Sequence, residues 1–140
     1  MRSASRQNSN RQSSPRRNGV AAVELAICLP VLVTLMLATI EACTMYHVQQ
    51  TLKITAYEGA RVGTVPGATS TNVEFQCGNI LDDHGVSGYA ITMDPADPST
   101  LGEGDYLTVT ASAAFADNAL IGGWFYQGMT LSRSVALRND

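Results

Sequence analysis

Residues 20–40 read VAAVELAICLPVLVTLMLATI, and they contain a single charge, Glu24. At about 1.5 Å per residue a helix of this length rises roughly 30 Å, the thickness of a bilayer's hydrocarbon core. Pro30 would break a helix in water. Within a membrane it is tolerated, because neighbouring groups satisfy the carbonyl it frees. The stretch therefore predicts a transmembrane helix over 20–40, in contact with membrane lipid. Glu24 is expected at or just inside the interface, since a carboxylate at the bilayer centre costs about 2.5–3.5 kcal/mol.

Working outward toward the N-terminus, residues 1–19 are Ser, Asn, Gln and Arg with almost nothing apolar. Such a composition cannot offset the entropy of ordering, so a disordered basic leader is expected. Five of the nine basic residues, Arg2, Arg6, Arg11, Arg16 and Arg17, fall here and no acid does. The positive-inside rule then predicts a cytoplasmic N-terminus and an outer C-terminal part, with one crossing of the cytoplasmic membrane. From Val20 onward four basic residues face all twelve acids, a net −8. Nucleic-acid binding is not expected, because only the leader is basic and it has no aromatic residue to stack on a base.

Toward the C-terminus the helical pattern outlasts the apolar run. Met45, Val48, Leu52 and Ala56 recur at three- and four-residue steps, and no proline occurs between Glu41 and Arg61. An amphipathic continuation over 41–62 follows, ended by Gly63, Pro66 and Gly67. The remainder, 63–140, is expected to be one small α+β domain. Thr71 and Glu74 have capping-box spacing ahead of Val73, Cys77, Ile80 and Leu81, which predicts a short helix stopped by Gly85. Residues 89–93, 107–115 and 129–137 alternate as strands. The fold class is thus α+β: a long N-terminal helix, half in lipid, packed with the short helix on an antiparallel sheet of about three strands. The apolar connection Ala119 to Tyr126, ALIGGWFY, holds the only tryptophan. It reads equally as a docking patch or as a cover for the sheet.

Sites for chemistry are few. Cys28, Cys43 and Cys77 form no C-x-x-C, so metal and redox motifs are absent and neither metal nor cofactor is expected. In an oxidising compartment Cys43 and Cys77 are a candidate disulfide pair, the alternative being two small buried hydrophobes. His47 and His84 accompany no nucleophile elbow, zincin motif or phosphate loop, so an enzyme is not expected. His47 reads as a solvated helix face and His84 as a helix end. Gly102-Glu103-Gly104-Asp105 reads as a turn. Glu58, Gly59, Ala60 and Arg61 are a candidate partner or packing motif. The small pair admits a close neighbour, while Arg61 suits the negative end of a helix and lies three residues from Glu58.

The run Arg16-Arg17-Asn18-Gly19-Val20-Ala21-Ala22-Val23-Glu24-Leu25, opening an apolar helix, resembles the class III signal of type IV pilin-like proteins. Farther on, Glu41, Tyr46-His47-Val48-Gln49-Gln50 and Tyr57-Glu58-Gly59-Ala60-Arg61 resemble the TadE-like minor pseudopilins of the tight-adherence (Tad) pilus system. Leu25 stands where that family commonly has an aromatic residue. The resemblance implies a prepilin peptidase cutting between Gly19 and Val20, and Glu24 guiding subunit assembly. It also implies other pilin-like subunits and a pilus assembly platform as partners. An uncleaved, signal-anchored binding or sensor domain is the alternative, and the mature N-terminus distinguishes them.

Overall fold

The computed structural model describes residues 16–123, 126 and 128–139. Helix α1 spans Arg16–Gly63, forty-eight residues with Pro30 inside it. It starts earlier than the expected Val20, because Arg is a good helix former and Gly19 lowers helix stability without blocking it. Most of the expected leader, up to Pro15, lies outside the described residues. Within α1 the Thr34 hydroxyl donates to the Pro30 carbonyl at 2.8 Å.

The chain divides into two units, one ending at Met36 and the other beginning at Leu37. In the N-terminal unit every side chain from Val20 to Met36 is exposed in the isolated chain. That is the pattern of a helix apolar all round, which needs lipid or other helices for cover. By length and composition, helix α1 is long and apolar enough to cross a membrane.

In the C-terminal unit α1 is followed by α2 (Ser70–Asp83), β1 (Tyr89–Asp94), β2 (Tyr106–Ala114) and β3 (Thr130–Arg138). Short 3₁₀ turns at Pro98–Thr100 and Phe115–Asp117 punctuate the strands. The N-cap of α2 is Thr69, whose hydroxyl accepts from the Asn72 amide at 3.4 Å. Thr71 is therefore not the cap. Helix α2 begins one residue before it, so Thr71 lies within the first turn.

The sheet is an antiparallel meander in the order β1-β2-β3. Ile91 pairs with Ala111, and Ala111 with Arg133 on the other side. Strand β2 alternates strictly: Leu107, Val109, Ala111 and Ala113 are buried, while the residues between them face outward. Against that face lies the stripe of α1. Val48, Leu52 and Ala56 pack with Leu81, Val86, Ala111, Ala113, Phe115 and Leu131. Ala60 packs in a second cluster with Val73, Cys77, Leu107 and Val109. Each large side chain so buried contributes about 1.5–3 kcal/mol relative to exposure. The sheet is covered by α1 and α2, as the periodicities predict.

Candidate functional site

The candidate residues lie along α1, and each half of the helix treats them differently. Val20 and Glu24 stand one turn apart on the exposed surface of the N-terminal unit. A Cβ built at Gly19 would meet no atom within 4 Å. The glycine there answers no packing need of the chain itself.

Gly59 is the opposite case. A Cβ there would fall on the Cys77 Sγ and lie 3.2 Å from Val109 Cγ1 and 3.4 Å from Val73 Cγ1. At Gly63 it would fall on Leu107 Cδ2. Absence of side chains at these two positions lets α1 approach α2 and β2 closely. Ala60 is fully buried beside them. Glu58 and Arg61 point the other way and form an ion pair at 3.6 Å. Arg61 is well exposed, so the pair adds at most about 1 kcal/mol. The four-residue motif thus splits into a packing half and a surface half.

The upstream motif splits the same way. Val48 enters the core, while Gln49 accepts a hydrogen bond from the Arg133 guanidinium on β3. Gln50 faces an apolar groove of about 410 Å³, lined with Lys53, Ile54, Tyr57, Glu58 and Val135. His47 is exposed, with its ring 6.4 Å from that of His84. His84 caps the C-terminus of α2, its Nδ1 2.8 Å from the Ile80 carbonyl. The 102–105 segment is a turn, in which the Asp105 carboxylate accepts from the Gly102 amide at 2.9 Å. Of the ALIGGWFY connection, Trp124 and Phe125 lie outside the described residues. Ala119 and Tyr126 pack on the core, and Leu120 is 74% exposed.

The candidate disulfide is corrected. All three cysteines are free, with Cys43 exposed and Cys77 buried. The Cys77 Sγ sits 3.6 Å from the Thr55 carbonyl, twelve positions along α1 from Cys43, which is about 18 Å of helical rise. No rotamer bridges that distance. Burial, with the Glu74 carboxylate second, pushes the Cys77 thiol up to about 11. It is a small core residue, not a reactive one.

Sequence reasoning passed over Glu41 as a structural residue. Its side chain is fully buried. The signal was available, since positions 41, 45, 48 and 52 share one helical stripe. Tyr89 is a strand residue with a contact beyond the sheet. Its hydroxyl donates to Asp82 at 3.1 Å, and desolvation, then that bond, raises its pKa.

No curated protein and no solved structure matches the chain. The model of the family described as TadE-like protein matches residues 19–61. That range begins at the open glycine, ends at Arg61, and covers about a third of the chain. Over this segment, the long helix whose first half is bare and whose second half carries the core stripe, the chain is similar to TadE-like proteins.

Proposed function

We propose that the chain is a pseudopilin-like structural protein, cut between Gly19 and Val20 by a prepilin peptidase and taking part in assembly of a Tad-type pilus or related secretion apparatus. The carrying observation is that Gly19 has open space around it. Its own packing does not call for a glycine at that point, which leaves the position free to serve recognition by another protein. A peptidase at the membrane face needs a small, permissive residue before the scissile bond. The five arginines keep that end in the cytoplasm of a cell whose inner membrane the helix crosses, with the C-terminal unit on the far side.

Cutting would leave an ammonium group on Val20, one helical turn from Glu24. In a bundle of such helices, Glu24 of one subunit pairs with the Val20 amine of another. The pairing offsets the desolvation that each charge suffers alone and fixes axial stagger, as a buried polar residue fixes register in a coiled coil. Glu24 lies exposed on the helix, as this requires.

Mass measurement of the membrane-extracted chain tests the cut, and in-membrane crosslinking tests the pairing. The expected result is Val20 as first residue for both the natural chain and Glu24→Gln, with crosslinks to pilin-like subunits lost only in Glu24→Gln. An intact leader would favour the signal-anchored sensor. Unchanged crosslinking would remove the pairing.

A further inference from the structure

Three side chains able to bind a metal line one groove of about 400 Å³, and all three belong to the C-terminal unit. Cys43 and His47 come from α1, and His84 caps the C-terminal end of α2. Residues four apart on a helix stand one above the other, with Cβ atoms about 5–6 Å apart. Packing of α2 on α1 supplies the third donor, with the His84 ring 6.4 Å from that of His47. The three side chains are exposed, while Val48 and Val86, which also line the groove, are buried. No motif spacing announces the group, because only the fold joins His84 to the other two.

His84 is already oriented as a ligand. Its Nδ1 lies 2.8 Å from the Ile80 carbonyl. That hydrogen bond puts the proton of the neutral ring on Nδ1 and leaves the Nε2 lone pair available. Metal-ligating histidines carry such a second bond, which fixes the tautomer and the ring orientation. Asn118, also on the groove, is occupied by the backbone. Its carboxamide accepts from the Ser87 amide at 2.8 Å and donates to the Ser87 and Ala114 carbonyls at 2.9 Å. The fourth position of a tetrahedral ion is thus left to water. As the side chains stand, no three His, Cys, Asp or Glu donors among the described residues meet at one point. Two imidazoles on one tetrahedral metal, with bonds of about 2.0–2.1 Å, set their ring centres roughly 5 Å apart. The histidine pair therefore has to close by about 1 Å. Rotation of Cys43 and His47 about their side-chain bonds supplies the movement, since both are exposed. A thiolate with two imidazoles is a donor set suited to zinc. We propose that Cys43, His47 and His84 form a zinc-class site, which holds one borderline-soft divalent cation and clips the end of α2 to α1. Binding takes the Cys43 thiol as the thiolate, and its proton passes to water.

The test uses the full chain in detergent micelles, with a phosphine reductant to keep the cysteines as thiols and cobalt(II) as a spectroscopic stand-in for zinc. Cobalt should give the visible bands of a tetrahedral ion together with a near-ultraviolet thiolate-to-cobalt transition, and zinc should displace it. Cys43→Ser should abolish the thiolate transition, and His47→Ala should weaken cobalt binding at least about tenfold. Cys28→Ser, at the other exposed cysteine, should change neither. Circular dichroism of the metal-free variants verifies folding, and each substituted side chain is exposed. Absence of the bands would overturn the site, as would tetrahedral bands without the thiolate transition. Bands that survive both Cys43→Ser and His47→Ala would mean an adventitious ion only, and their loss in Cys28→Ser would place the ion elsewhere; either result overturns the proposal. None of these outcomes bears on cleavage after Gly19, which the mature mass reads separately.

Discussion

Helix α1 is one continuous element with two solvents, and its halves obey different rules. From Val20 to Met36 each side chain is exposed in the isolated chain, and apolar residues occupy every face. From Val48 onward one side of the helix, Val48, Thr51, Leu52, Thr55, Ala56 and Ala60, is buried to 2% exposure or less, while Lys53, Ile54, Tyr57 and Arg61 face outward. In the first half any apolar side chain of suitable size serves, since lipid is a forgiving neighbour. In the second the neighbours are fixed protein atoms, so single atoms matter. The helix teaches that length and hydropathy specify an anchor, whereas spacing specifies a packed interface.

The contrast breaks most visibly at Leu52, which is fully buried. Leu52→Ala should destabilise the C-terminal unit by about 2–5 kcal/mol, while Leu32→Ala on the bare half should leave its thermal unfolding unchanged. Equal effects, measured by circular dichroism of the full chain in detergent, would mean that the two halves share one environment.

A smaller effect follows from the Cys77 thiol, held at about 11 against an ordinary value of 9.0. Between these values the unfolded chain loses the proton and the folded chain keeps it. The stabilisation is therefore complete below pH 9 and falls as pH rises toward 11, by on the order of 2–3 kcal/mol in all. Cys77→Ala should flatten this part of the stability–pH curve. An unchanged slope would assign the loss to other groups.

The smallest change sharpens the comparison between glycines. Gly59→Ala should cost about 1–3 kcal/mol through overpacking against Cys77 and Val109, and Cys77→Ala in the same chain should recover part of it. Gly19→Ala, with open space around its Cβ, should leave unfolding of the C-terminal unit unaffected. A cost at Gly19 equal to that at Gly59 would contradict the geometry of both.

Much of this architecture was legible in residue order because it depends on periodicity. The apolar run, the stripe through Leu52 and the alternation of β2 each repeat over enough residues to outweigh local exceptions. What escaped depends on single atoms in three dimensions. Thr69 and Thr71 are chemically identical, and only the position of the first helical amide decides which one caps α2. Cys43 and Cys77 looked pairable until the helix rise between Cys43 and Thr55 fixed their separation. Glu41 shares the core stripe, but apolar periodicity passes over a carboxylate. In the candidate site, the residues were legible and their division into packing and surface roles was not. Glu58 and Gly59 are adjacent in sequence but face opposite directions.

The meander leaves β3 paired on one side only among the described residues. Its outer rim is thus a row of backbone donors and acceptors without a strand partner among the described residues. Chains tethered to the same membrane diffuse in two dimensions, where encounters between like rims are frequent. Arg133, its guanidinium bonded to Gln49, sits midway along β3 and Arg138 at its end, and charged residues on an edge strand discourage indiscriminate strand-to-strand sticking. Anchorage thus brings a colloidal problem that a freely diffusing domain of the same fold would meet less often, and two arginines on the last strand temper it.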